Sequence, residues 1–174
     1  MKVVISGSFR KHLKDIMDLK NQLERDGMEV LKPIDSEVID NLENPEFVKF
    51  IGEESKSEYE LQREYDDAIF KCDAHIVCNI GGYIGKSAIR EMIMGAGNNV
   101  FDKKEMQKGI FKNANSQVYL LEPWNKKGFE DEGDTKHFST FLDYLIKTGS
   151  LKIGLEEMYK DFEIKDRITE MGFY

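Results

Sequence analysis

Val3, Val4 and Ile5 follow one another without a polar break. Apolar residues at consecutive rather than alternate positions predict a strand covered on both faces, as in a parallel sheet. The period then changes. In "HLKDIMDLKNQLERDG", residues 12–27, Leu13, Ile16, Met17 and Leu23 fall near one helical face, and Gly27 suits the position just beyond the helix end. "MEVLKP", residues 28–33, reads as a second strand closed by Pro33. Strand, helix and strand within about thirty residues form a βαβ unit, whose crossover is right-handed in nearly all proteins.

Residues 34–55 interrupt the pattern with Pro45 and several acidic groups, and so long a loop marks function or mobility. Helical spacing resumes in "SEYELQREYDDAIFKC", residues 57–72, where Leu61, Tyr65, Ala68, Ile69 and Cys72 share a face. "AHIVCN" at 74–79 predicts a third strand, residues 87–97 a helix, and "SQVYLLEP" at 116–123 a fourth strand stopped by Pro123. A charged loop and helices near 136–148 and 154–171 complete the chain. This alternation predicts an α/β fold, doubly wound (Rossmann-like or flavodoxin-like), with a mostly parallel sheet of four to five strands and helices on both faces. Residues 1–125 would form the α/β domain, and 126–174 a C-terminal helical extension packed on it.

Composition narrows the function. The 174 residues suit one domain, and 40% hydrophobic with 33% charged residues is a globular balance. A net charge of −8 argues against nucleic acid as a partner, because broad nucleic-acid binding needs a basic footprint. A small anion remains admissible, since a local set of N–H groups with one arginine can outweigh the mean field. Cys72 and Cys78, the two cysteines, form neither a disulfide framework nor a metal-ligand spacing, and read as small buried apolar side chains. "FEDEGD" at 129–134 lacks the spacing of a calcium loop and reads as a solvated turn. The opening "MKVVISGSF" is too short for a secretory signal, and no apolar run approaches membrane-spanning length. The expectation is a cytoplasmic protein with no metal, no cofactor and no membrane partner.

In a doubly wound sheet, ligands sit beyond the carboxyl ends of the strands. Two glycine-bearing turns leave strands at that edge: Ser6-Gly7-Ser8-Phe9-Arg10 after the first strand, and residues 79–86 after the third. In the first, Gly7 lets backbone approach a ligand, Ser8 offers a hydroxyl, the following helix offers unpaired N–H groups, and Arg10 can grip a phosphate or carboxylate. A tight βα turn with a solvated arginine accounts for the same residues. In the second, Gly81 and Gly82 relax the backbone, Tyr83 can stack on a ring or enter the core, and Gly85 opens the next helix. With Ser87 as the helix cap, Glu91 falls at the fourth helical position, near enough to the positive helix end to favour its ionised form. An ionised carboxylate in a cleft can attack a sugar carbon; a solvated first-turn glutamate is the alternative.

"SGSFR" near the start and "CDAHIVCNIGGYIGKSAIRE" far downstream together resemble the nucleoside 2-deoxyribosyltransferase superfamily. Within it, the Gly-Ser-hydrophobic-Arg pattern of the first turn is most similar to the 2′-deoxynucleoside 5′-monophosphate N-glycosidase branch. The resemblance covers about residues 2–122 and leaves the last fifty or so unexplained. It implies that Glu91 attacks the anomeric carbon of a nucleotide or nucleoside, that a glycosyl-enzyme intermediate forms as the base departs, and that water or a second base releases the sugar. It also implies that Gly7, Ser8 and Arg10 lie near the ligand and that Gly85 and Ser87 hold the 5′ end of the sugar. A homodimer or higher homo-oligomer without metal is implied as well.

The superfamily carries a further aspartate in the helix before the third strand, eight residues ahead of the position of Asp73. Tyr65 stands there, followed by Asp66 and Asp67. Helical angle sets Asp66 at the margin of the apolar face and Asp67 nearly opposite it, so Asp66 is the expected partner of Glu91. Glu58 and Glu64 are further candidates on the same helix, and a wholly solvated acidic face is the alternative. The cytokinin-activating phosphoribohydrolases share a glycine-rich loop followed by a glutamate, but Ile80 stands where they have proline and the spacing to Glu91 is longer. Base exchange in place of hydrolysis, or a nucleotide-sensing module without catalysis, would use the same turns.

Overall fold

The computed structural model describes residues 1–34, 37–39, 48–100, 116–125 and 135–164. Among them run β1 (Lys2–Gly7), α1 (Phe9–Arg25), β2 (Glu29–Lys32), β3 (Val38–Ile39), β4 (Lys49–Phe50), α2 (Glu58–Ile69) and β5 (Ala74–Cys78). A 3₁₀ turn at Ile80–Gly82 leads to α3 (Lys86–Val100), then β6 (Gln117–Leu120), α4 (Thr135–Lys147), β7 (Leu151–Ile153) and α5 (Leu155–Asp161).

The main sheet has five strands in the order β2-β1-β5-β6-β7, each neighbouring pair parallel. This is the doubly wound fold in the flavodoxin-like order, and its topological switch lies between β1 and β5. The expected four strands are present, and the fifth is β7, which the sequence pattern does not reveal. "LKI" is too short for a periodic signal and sits between Gly149 and Gly154, both at positive φ. The stretch after residue 125 is therefore not helical throughout, since β7 extends the sheet beside β6. α5 ends at Asp161, short of the expected helix end, and residues 165–174 lie outside the described residues. So does the acidic turn at 129–134. Within the long 34–55 segment, β3 and β4 form a small antiparallel pair.

Because strand side chains alternate between faces, β1 sends Val3 and Ile5 to one side and Val4 and Ser6 to the other. Val3 and Ile5 join Ile76, Cys78 and Tyr119 against Ile16, Leu19 and Leu23 of α1 and Met158 and Tyr159 of α5. On the opposite face, Val77, Val118 and Leu120 pack against Ala88, Ile89 and Met92 of α3 and Leu142 and Leu145 of α4. Val4 meets Ala68 and Ile69 of α2 on that same side. Trp124 packs on the α3/α4 cluster. Cys72 and Cys78 are buried free thiols, both pushed up to about 12 by burial.

The helix ends follow local chemistry. Ser57 caps α2 in a reciprocal box with Glu60, and Gly27 takes φ +81 just past α1. The expected cap of α3 is corrected. The helix begins at Lys86, with Ser87 inside it, and the Gly85 carbonyl accepts from the Ile89 N–H at 3.0 Å. Glu91 is thus the sixth residue of α3 rather than the fourth, farther from the positive helix end. No helix among the described residues is long and apolar enough to cross a membrane.

Candidate functional site

A cavity of about 210 Å³ opens at the carboxyl ends of β1 and β5. That is room for several waters or for a small organic ring. The first turn forms one wall with Gly7, Ser8, Phe9 and Arg10, and the second turn and α3 form another with Tyr83, Gly85, Ser87 and Glu91. Eight residues singled out from the sequence thus meet around one space.

Glu91 is 7% exposed although its side chain borders this cavity. Its Oε2 accepts a hydrogen bond from the Ser6 hydroxyl at 2.5 Å, and Oε1 lies 3.4 Å from the Gln62 amide nitrogen. Burial raises its carboxyl from the ordinary 4.5 to about 7, because the hydrogen bonds from Ser6 and Gln62 only partly offset the loss of water. The expectation that the helix end holds Glu91 ionised is therefore corrected: desolvation outweighs it, and the group titrates near neutrality.

In the first turn Ser8 stands at the cap position of α1, where its carbonyl accepts from Lys11 N and His12 N while its hydroxyl makes no cap bond. The N–H groups of Phe9 and Arg10 lie in a first turn of α1 that is set off from the rest of the helix by a kink at His12 (φ −131, ψ 31), and have no partner within that turn. Arg10 is exposed. The Phe9 ring meets Phe50 and Tyr65 edge-on, with centroids 5.5 and 6.3 Å apart. Gly7 has a reason other than ligand approach, since a Cβ there would lie 2.9 Å from the Cys78 carbonyl and 3.1 Å from Ile16 Cδ1. The two strands at the switch point need glycine to pack.

In the second turn Gly81 and Gly82 have φ of +65 and +76. Gly82 does not line the cavity; a Cβ on it would strike Asn125 N at 2.6 Å and the Pro123 carbonyl at 2.8 Å. Tyr83 lies on the cavity wall with the Lys11 ammonium 3.7 Å from its ring centroid.

Asp66 does not line the cavity. Both its oxygens are held by the Arg90 guanidinium, at 2.9 and 2.6 Å, and it reaches Glu91 only through Gln62, which donates to it at 3.1 Å. Asp67 and Glu58 are exposed, and Glu64 pairs with Lys56 and Lys32.

Several residues of the site escaped the sequence reading. Lys32 at the end of β2 and Glu53 are both buried, line the cavity and pair at 3.3 Å. Glu53 also accepts from Phe50 N, and Lys32 reaches Glu64 at 2.9 Å. With Lys56 the cluster carries two positive and two negative charges, so this wall is polar but neutral. Tyr65, noted for the aspartate it replaces, lines the cavity and donates to the Ile5 carbonyl at 2.8 Å. Burial raises its phenol well above the usual range, with Glu91 and Glu53 adding to the effect.

His75 has a partner constellation that its isolated position conceals. Its Nε2 lies 2.7 Å from Ser6 Oγ, behind Glu91, and burial lowers the imidazole to about 3, so it is neutral. Two polar residues within strands buried on both faces were the available signal, since alternation sends Ser6 and His75 to the same side. His12 pairs with Asp15 at 3.6 Å on α1. No group of three or more His, Cys, Asp or Glu among the described residues is arranged to hold a metal ion. No family model, curated protein or solved structure matches this chain.

Proposed function

We propose that the protein cleaves the N-glycosidic bond of a nucleoside or (deoxy)nucleoside 5′-monophosphate and releases the free base. The observation that carries this reading is a buried glutamate bordering a cavity that the Gly7–Arg10 turn also lines. Glu91, when ionised, is the nucleophile: an oxygen lone pair bonds to the anomeric carbon while the carbon–nitrogen electrons leave with the base. Water then adds to the anomeric carbon and frees the carboxylate, and the proton it loses goes to the departed base.

Charge distribution supports a phosphorylated substrate at one end. Arg10, with the Phe9 and Arg10 N–H groups that have no partner within the first turn of α1, suits an anion there. The neutral wall of Lys32, Glu53 and apolar neighbours suits an uncharged heterocycle with polar edges. Carboxyls shifted by burial cluster at working sites, and Glu91 combines that shift with a place on a cavity wall.

The test is chromatography for free base after incubation with a panel of nucleosides and nucleoside 5′-monophosphates, for the wild type, E91Q and E91A. Base release by the wild type, and its loss in both variants with the fold intact, supports the reading. Binding of nucleotides without base release, or unchanged turnover in E91A, overturns it; the former outcome describes a sensor. Addition of a second free base to the active enzyme, followed by a search for a new nucleoside, separates exchange from hydrolysis.

A further inference from the structure

We infer that Ser6 and His75 form a buried positioning relay, in which His75 holds the Ser6 hydroxyl and Ser6 holds Glu91 Oε2, leaving Oε1 as the atom presented to the ligand. The choice of Oε1 as attacking atom rests on the glycosidase reading; the relay itself does not.

The direction of the two bonds follows from counting protons. An ionised carboxylate only accepts, so at 2.5 Å the single Ser6 proton points to Glu91. Ser6 Oγ must then accept at its other contact, 2.7 Å away, and His75 Nε2 is the donor there. A neutral imidazole carries one proton, which leaves Nδ1 bare. Nδ1 is buried and without a hydrogen-bond partner among the described residues. It faces Gly95 of α3, where even a Cβ would lie 2.9 Å away, so the ring fits only because position 95 has no side chain.

The opposite polarity is disfavoured for the same reason. Were Ser6 to donate to Nε2, lone pairs of Ser6 Oγ and the ionised Glu91 Oε2 would face each other at 2.5 Å, and Nδ1 would carry its proton with no acceptor. His75 is thus locked as a donor toward Ser6, and Ser6 as a donor toward Glu91. Two donors in series favour the ionised carboxylate and oppose the burial that would protonate it. They also fix the plane of the carboxyl group. Gln62 is the partner of Oε1 at 3.4 Å, a long contact that a ligand can replace.

The remaining groups around Glu91 are untouched by changes at positions 6 and 75. They are Tyr65 and Asp66 on α2 and Arg90 on α3, with Arg10, Lys32 and Glu53 also on the cavity wall or near it. A shift produced by S6A or H75M therefore reports the relay.

The experiment is NMR on the whole chain: titration of 13C-labelled glutamate, with the Glu91 signal assigned by E91Q, and 15N detection of the His75 ring. S6A and H75M should each raise the Glu91 midpoint by about one unit. H75Q, whose amide can donate to Ser6, should return it close to the wild-type value. In the wild type, His75 should show Nε2 protonated and Nδ1 bare at pH 8 and above, where Glu91 is ionised. Where base release is measurable, the acid limb should move with the NMR midpoint, and kcat should fall more than KM changes. Unmoved midpoints in both S6A and H75M, or a proton on Nδ1, overturn the relay. If H75M fails to fold, S6A and the wild-type ring spectrum still decide. A shifted midpoint in a protein that releases no base keeps the relay and removes the glycosidase reading, so the two fail separately.

Discussion

Arg90 holds Asp66 by two hydrogen bonds, at 2.9 and 2.6 Å, and so keeps the carboxylate on α2 that reaches Glu91 through Gln62 out of the cavity wall. The pair is half-exposed on the arginine side, which limits its worth to stability. Its consequence is for chemistry. D66N should leave base release within about tenfold of the wild type, whereas loss of a proton-transferring group typically costs 10²–10⁴-fold. Because Asp66 raises the Glu91 carboxyl and Arg90 lowers it, removing the Asp66 charge should also move the acid limb of activity to lower pH. A loss of a hundredfold or more in kcat for D66N would return Asp66 to the reaction.

Base release should depend on pH through Glu91. With its carboxyl raised to about 7 by burial, the nucleophile is ionised above neutrality and progressively protonated below it. The logarithm of kcat/KM should therefore fall with unit slope below about pH 7 and level off above it. A rate profile from pH 5 to 9 measures this. An acid limb near the ordinary glutamate value would mean that water enters the site in solution.

The same burial makes Glu91 costly to the fold. A group whose folded value is raised stabilises the native state fully below its unfolded value near 4.5, and that stabilisation is lost as pH rises through about 7. E91Q removes the charge, so it should be more stable than the wild type at pH 8, by up to about 3 kcal/mol. The gain should shrink as pH falls through 7 and vanish near pH 4.5. Urea unfolding at pH 8 and at pH 5 checks the sign and the trend together.

Lys32 and Glu53 stand inside the molecule, 6% and 5% exposed in their side chains, and each depends on the other. K32M leaves a buried carboxylate without its nearest cation and should cost roughly 3–5 kcal/mol. In K32M/E53L both charges are gone and part of that loss should be recovered, the remainder reflecting the Phe50 N–H and Glu64 contacts that the pair also made. Denaturation of the two single variants and the double variant measures the coupling. Additive losses would mean that the pair does not interact.

The glycines of the second turn should separate by mechanism. Gly82 has φ +76, and a Cβ would press on the backbone of Pro123 and Asn125, so G82A should cost several kcal/mol. Gly85 lies outside the left-handed region, and a Cβ there meets only Tyr83 at ordinary distance, 3.6 Å. G85A should change stability by less than about 1 kcal/mol, read from thermal unfolding of the two variants side by side.

The elements visible in the pattern are those with enough consecutive residues to carry a period: β1, β2, β5 and β6, and the helices between them. β7 escaped because three residues define no alternation, and the β3/β4 pair because two-residue strands inside a polar segment carry no signal. Of the site, both turns and Glu91 were legible, since glycines and a following helix mark the carboxyl ends of parallel strands. Lys32, Glu53 and Gln62 were not. A lysine before proline, a glutamate among glutamates and a glutamine in a charged helix look solvated until packing buries or orients them. The contact of His75 with Ser6 was not legible either, because the two lie 69 positions apart.

By itself, the chain's pattern of apolar runs and glycine turns determined the α/β class and which two turns lie at the ligand-binding edge. Those properties follow from local period and backbone freedom. Tertiary structure alone decided that Ser6 stands behind Glu91, that Asp66 is committed to Arg90, and that a carboxyl in α3 titrates near neutrality. Each depends on which side chains meet across the sheet and how much water they exclude, and those quantities belong to packing rather than to any segment.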